Sequence, residues 1–287
     1  MRALFLWAAG NRWLATHVPR WRFARRAVKR FLPGEGFEAA LKAATDFKTR
    51  GVGALFTLLG ENVTDLADAN RVVEHYEEVL AASAGVEAEV SVKPTQLGLD
   101  IDPDAAYANL LRLARAASNA RSFLWIDMEG SAYTERTLDL YKALRSEHAN
   151  VGVALQAYLH RTVSDVATLL PLKPAIRLVK GAYAEPPEIA FMLPEVKRRN
   201  LRLVLATHDT VLSAKAWRFA QALGMERAHF EVAMLYGIRT DEQLRLAREG
   251  YAVRCLIAYG DAWYAWYLRR LAERPANMWF VARQLLP

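Results

Sequence analysis

Apolar and polar positions along the 287-residue chain follow two alternating rhythms. Short, dense apolar runs fall at 53–58, 89–93, 123–127, 151–157, 176–180, 203–207, 228–232 and 251–258. Runs of this length suit strands of a parallel sheet, which are covered on both faces. Between them, apolar residues recur at three- and four-residue intervals, as at 104–117 and 134–144, and predict amphipathic helices. The run centres lie roughly 25 to 36 residues apart, the length of one strand, one crossover helix and their loops. Eight such units predict an α/β fold, a (β/α)8 barrel of TIM type. Asp65 and Asp165 stand near expected helix starts, where a carboxylate accepts from exposed amides. Residues 1–35 fall outside the alternation and read as a helical arm, leaving 36–287 for the barrel.

Charge changes the picture only in that arm. Of the 38 Lys and Arg residues, eight lie within residues 1–30, where Asp and Glu are absent, so the rest carries 30 basic against 31 acidic groups. The arm also holds Trp7, Trp13 and Trp21. Basic residues interleaved with Trp, Phe and Leu suit an anionic membrane surface, and equally suit an amphipathic helix packed on the body with its basic face in water. No nucleic-acid-binding motif accompanies the charge, so no nucleic-acid partner is expected. The composition, 53% hydrophobic and 24% charged, is that of a water-soluble globular chain. No apolar run reaches membrane-spanning length and no signal peptide is evident, so the expected location is the cytoplasm, with peripheral contact at the inner membrane surface. The single cysteine, Cys255, reads as a core thiol.

In a (β/α)8 barrel the chemistry sits at the C-terminal strand ends. Those ends carry Ser91 and Lys93, Asp127 and Glu129, Gln156, Arg177 and Lys180, Thr207 to Asp209, and Glu231 leading to Leu235. A polar ring over an apolar barrel suits a cofactor and a small charged substrate. After the last strand, Arg269 and Arg270 stand one helical turn before Glu273. Two adjacent guanidinium groups can grip a carboxylate, or can be solvated on a surface helix. The six histidines are scattered, and His208 and Asp209 lack further ligands at metal spacing, so no metal is expected. A G-x-G-x-x-G turn is absent.

Taken in order, Ser91-Val-Lys-Pro-Thr-Gln-Leu-Gly98, Ile126-Asp-Met-Glu129, Arg177-Leu-Val-Lys-Gly-Ala-Tyr183, Ala206-Thr-His208, Met234-Leu-Tyr-Gly-Ile-Arg239 and Arg269-Arg270 with Glu273-Arg-Pro-Ala-Asn277 resemble the proline dehydrogenase family. The resemblance spans essentially the whole chain and implies an FAD-dependent oxidation of L-proline to 1-pyrroline-5-carboxylate, with electrons passed to a membrane quinone. It implies that Lys93, Arg269 and Arg270 clamp the substrate carboxylate. Asp127 and Tyr183 would hold the clamp and pocket, with Leu235 as an apolar wall. Gln156 and Arg177 would hydrogen-bond the flavin ring, Arg177 near its redox-active nitrogen. Val179, Lys180, Gly181, Ala182, Thr207, His208 and Asp209 would cradle the rest of the cofactor, with Glu273 close to cofactor or clamp.

Departures from the family pattern gather at the pocket. Leu256 stands where a substrate-packing tyrosine is expected, and Trp266 where a second pocket tyrosine is expected. Ala184, Asp209 and Ala233 replace an aromatic, an asparagine and a glutamine. The shorter wall at Leu256 admits a substituted ring, so a related cyclic amino acid such as hydroxyproline is an alternative substrate. A non-catalytic barrel is a second alternative, against which the retained Lys93, Asp127, Arg177, Lys180, Arg269 and Arg270 argue.

Overall fold

A computed structural model describes residues 7–8, 10–21, 24, 28–180 and 188–273, with the backbone alone at residues 12, 188–191 and 269–273. Eight parallel strands close into a barrel in chain order. They are β1 (Gly53–Leu58), β2 (Ala88–Val92), β3 (Leu124–Ile126), β4 (Val151–Gln156), β5 (Ala175–Val179), β6 (Arg202–Ala206), β7 (Glu231–Leu235) and β8 (Ala252–Tyr259). A short α1 (Arg12–His17) precedes α2 (Phe37–Lys48). The helices between strands are α3 (Leu66–Ala82), α4 (Pro103–Asn119), α5 (Thr134–Glu147), α6 (Thr162–Leu169), α7 (Glu188–Arg199), α8 (Thr210–Ala222) and α9 (Thr240–Arg248). The helix α10 (Trp263–Glu273) follows β8.

Two-residue alternation along each strand decides what lies inside the barrel and what lies under the helices. One set, including Phe56, Val90, Ile126, Val153, Leu178, Leu205, Met234 and Ile257, packs into the large core shared with the helices. Cys255 belongs to this set, and burial pushes its thiol far above the ordinary range. The opposite set faces inward, where Leu55, Trp125, Ala175, Val204 and Ala233 pack with Phe123, Ala206 and Leu256.

Below this apolar layer, at the N-terminal strand ends, the barrel is closed by charge. Arg202 pairs with Glu89 at 2.8 Å and with Glu231 through two bonds of 2.7 and 2.9 Å. Arg254 pairs with Glu231 at 2.6 Å and with Glu89 at 3.1 Å. Buried ions are tolerable only when paired in this way, and losing one partner typically costs roughly 3–5 kcal/mol. Burial by itself would raise the Glu231 carboxyl, but Arg202 and Arg254 prevail and hold it below the usual carboxylate range.

This floor explains one departure from the sequence expectation. The seventh apolar run is placed by its pattern at 228–232, but residues 227–229 form a 3-10 turn and β7 begins at Glu231. The register that pairs Val204 with Glu231 brings that carboxylate onto Arg202 and Arg254. Asp65 does cap its helix, accepting from Asp68 N at 2.7 Å. Asp165 does not: it lies within the first turn of α6, where Arg161 Nε binds it at 2.8 Å.

The described part of the N-terminal arm packs on the barrel. Ala24, Val28, Phe31 and Leu32 are buried against Leu59, Ala258, Trp263, Tyr264 and Tyr267. The chain passes so close to Gly237 that a Cβ there would stand 1.5 Å from the Arg30 carbonyl oxygen. Glu35 completes the attachment, its carbonyl accepting from Gly260 N at 2.9 Å and its carboxylate from Trp263 Nε1 at 3.1 Å. Among the described residues, no helix is long and apolar enough to cross a membrane.

Candidate active site

On four neighbouring strands the inward set ends in a polar group at the C-terminal mouth: Ser91 then Lys93 after β2, Asp127 after β3, Gln156 on β4 and Arg177 on β5. The centre of this arrangement is Arg177, which is 4% exposed. Its Nη2 donates to Ser91 Oγ at 2.9 Å and to Asp127 Oδ1. Ser91 Oγ also donates to Asp127 Oδ1 at 2.8 Å, so three strands meet in one hydrogen-bonded triangle. Arg177 Nη1 is buried and has no hydrogen-bond partner among the described residues. A buried cationic donor left open costs stability unless a further acceptor meets it.

Around the triangle the loops are tied by side chains. Lys93 Nζ and Gln96 Nε2 both donate to the Leu58 carbonyl, at 3.3 and 3.2 Å. Thr95 donates to Glu129 through its amide at 3.0 Å and its hydroxyl at 2.6 Å, which pins the loop carrying Lys93 to the end of β3. Burial pushes the Glu129 carboxyl up, against the opposing pull of these two donors. Gln156 Nε2 donates to the Glu129 carbonyl at 3.1 Å, and its Oε1 accepts from Tyr158 at 2.9 Å. Leu235 and Leu256 are register partners on β7 and β8, both half-buried.

The second cluster lies beyond β5 and β6. Lys180 Nζ binds Asp209 Oδ2 at 2.5 Å. Asp209 Oδ1 caps α8, accepting from Val211 N at 3.1 Å and Leu212 N at 3.0 Å. The Lys180 bond foremost, then the Leu212 amide, hold the Asp209 carboxyl below its ordinary range. Its negative charge is therefore partnered from two sides. Thr207 is buried, its hydroxyl accepting from Asp209 N at 3.1 Å.

The structure thus brings Lys93, Asp127, Gln156, Arg177, Val179, Lys180, Thr207, His208, Asp209, Leu235 and Leu256 to the mouth of one barrel. Asp127 is spent on Arg177 and Ser91. Trp266 is half-buried and packs beside the cluster of Phe31, Tyr264 and Tyr267. Arg269, Arg270 and Glu273 take their places on the backbone of α10, and their side chains lie outside the described residues. Gly181, Ala182, Tyr183 and Ala184 also lie outside them. Thr95 is a partner to which the sequence assigned no role, and Ser91 was read only as a member of the polar ring, without its bond to Asp127 and Arg177. The signal for Ser91 was available, since it stands two residues before Lys93 and so shares its face.

The barrel and its polar mouth define a TIM-barrel enzyme site. The proline dehydrogenase family model matches residues 40–190 and 188–283. Proline dehydrogenase 1 of Bacillus subtilis (strain 168) is 32% identical over 302 residues, covering 100% of this chain and 99% of the relative. The proline dehydrogenase of Deinococcus radiodurans is 35% identical over 278 residues, covering 90% of each. Proline utilization A of Bdellovibrio bacteriovorus, inactivated by N-propargylglycine, superposes with a TM-score of 0.78 at 20% identity. That match takes in 94% of this chain and 36% of the larger protein. The chain belongs to the proline dehydrogenase family, and it is an oxidoreductase.

The family implies a flavin, and the described residues fit one. Arg177 Nη1 is a buried cationic donor without an acceptor among the described residues, facing the polar mouth. Lys180 supplies a second cation beside the start of α8.

Proposed function

We propose that this chain oxidises L-proline to 1-pyrroline-5-carboxylate in proline catabolism, with FAD as resident cofactor and a quinone as electron acceptor. The Nη1 donor of Arg177, buried, unpartnered among the described residues and set beside the Nη2 that Asp127 and Ser91 hold, carries this reading. FAD supplies the hydride acceptor, which no side chain here can replace.

The protein's own part is binding and orientation. Lys93, Arg269 and Arg270 take the substrate carboxylate, and Asp127 and Tyr183 support the pocket. With the carboxylate fixed, the ring lies against Leu235 and Leu256, and the carbon beside the ring nitrogen is aligned for reaction. Arg177 and Gln156 hold the flavin ring. Val179, Lys180, Gly181, Ala182, Thr207, His208 and Asp209 cradle the remainder of FAD, and Glu273 lies beside cofactor or clamp. Lys180 bears the positive charge that a pyrophosphate requires, while Asp209 orients Lys180 and caps α8. The ring amine must be neutral for hydride loss, and solvent takes its proton. The exposed Trp7, Trp13 and Trp21 suit peripheral contact with the membrane that holds the quinone.

The test is the visible spectrum of the purified protein before and after anaerobic L-proline. Flavin bands that bleach with L-proline support the assignment. Bands that bleach only with hydroxyproline or another substituted ring move the substrate elsewhere, and Leu256→Tyr is then expected to return preference toward proline. One apolar contact of this kind discriminates by roughly 1–3 kcal/mol. A protein that neither carries nor takes up FAD sinks the reading.

A further inference from the structure

Trp125 has no part in the reaction described above, yet its position inside the barrel is fixed from several sides. It is 1% exposed. Its ring lies against β4 at Gly152, where an added Cβ would stand 2.5 Å from Cζ3 and 2.7 Å from Cε3. Nε1 donates to Glu89 Oε2 at 2.6 Å. Glu89 is anchored in turn by Arg202 and Arg254 of the barrel floor. Two guanidinium groups lie over the indole: Arg202, with Cζ 5.1 Å from the ring centroid, and Arg177 at 5.4 Å. One indole thus joins the ion network that closes the barrel to the arginine that faces its mouth.

The chemistry of each contact is directional. A cation is attracted to the face of an indole, most strongly where water is excluded. Asp127 and Ser91 hold only Nη2 of Arg177, which leaves the plane of the guanidinium to be set by something else. The indole face is that surface, and it is itself held by a hydrogen bond at one edge and by a side-chain-free backbone at Gly152. Trp125 stands two residues before Asp127 on the same inward face, so β3 supplies both the acceptor and the platform for Arg177.

We propose that Trp125 is a positioning residue for Arg177: it fixes the guanidinium plane so that Nη1, unpartnered among the described residues, meets the flavin. The inference rests on the reading of Arg177 as a flavin contact. It is tested on the full-length protein by FAD titration, followed by flavin fluorescence and by the shape of the bound visible band, with melting temperature recorded separately. Trp125→Leu removes the platform, and Gly152→Ala displaces it while keeping the indole. Each is expected to weaken FAD binding roughly tenfold and to blur the resolved visible band. Trp125→Phe keeps a ring face but loses the bond to Glu89. It is expected to melt lower than the parent, yet to bind FAD within about threefold of it. In an Arg177→Met background, Trp125→Leu is expected to add no further loss, because the two act as one unit. If Trp125→Leu leaves affinity and band shape unchanged, or weakens FAD equally without Arg177, Trp125 does not act through Arg177. If Arg177→Met itself binds FAD as the parent does, the flavin role of Arg177 fails and the inference falls with it. Should Trp125→Leu not fold, Gly152→Ala and Trp125→Phe decide between the same outcomes.

Discussion

Asp127 shows how much of this site depends on a single carboxylate. It accepts from Ser91 at 2.8 Å and from Arg177, whose side chain is 5% exposed against 23% for Asp127. Water therefore offers little replacement if the charge is removed. Asp127→Asn keeps the shape but leaves the buried guanidinium without its counter-charge. Loss of a buried partner typically costs roughly 3–5 kcal/mol, and the retained amide oxygen places this variant near the lower end, about 3 kcal/mol. Denaturant unfolding of parent and variant measures it, and equal midpoints would mean that Arg177 has another counter-charge. The pairing itself was not evident from spacing, since the two residues are 50 positions apart in the chain. What was legible is that both stand at strand ends, and the closure of the barrel does the rest.

At the level of elements, the apolar runs located seven of the eight strands closely, because parallel strands buried on both faces leave an unmistakable pattern. The β7 start was misplaced, since Glu231 is polar by identity but interior by partner. A sequence offers no sign that Arg202 and Arg254 await it. The attachment of the arm was equally hidden. It depends on close approach at Gly237, whose φ of +71° and crowding by the Arg30 carbonyl both exclude a side chain. Gly237→Ala is expected to force residues 28–35 off the loop after β7, and to destabilise the protein by more than about 1 kcal/mol. Because those residues cover Trp263, Tyr264 and Tyr267 of the helix bearing Arg269 and Arg270, substrate affinity is expected to fall with it. Limited proteolysis reads the first effect, as cleavage near residue 30 that the parent resists. Unchanged cleavage would show that the arm is held by its apolar face alone.

Across the whole molecule, the barrel's two ends respond to acid in opposite senses. Glu231 at the floor has a folded pKa below its ordinary 4.5, so its stabilisation is full above that value and is lost as the pH falls through the lowered one. Glu129 at the mouth has a raised pKa, so stability it contributes in acid is lost as the pH rises through that higher value. Glu231→Gln is therefore expected to flatten the decline in stability below pH 4.5, while lowering stability at neutral pH. An unaltered acid limb in denaturation across that range would remove Glu231 from the account. The basic arm adds a property that neither end of the barrel has. Trp7, Trp13 and Trp21 are 61%, 59% and 44% exposed, beside exposed Arg20, Lys29 and Arg30. Packing of the arm through Ala24, Val28, Phe31 and Leu32 leaves these groups in water, so docking on the barrel and contact with lipid do not compete. Each cation near an anionic bilayer contributes about 1 kcal/mol at moderate salt. The full chain is expected to sediment with phosphatidylglycerol vesicles and not with phosphatidylcholine ones, and to be released at 1 M salt, where screening acts within about 3 Å. Trp7→Ala with Trp13→Ala is expected to weaken the association without changing the melting temperature. Equal binding to both vesicle types, or none to either, would leave the arm a packing element.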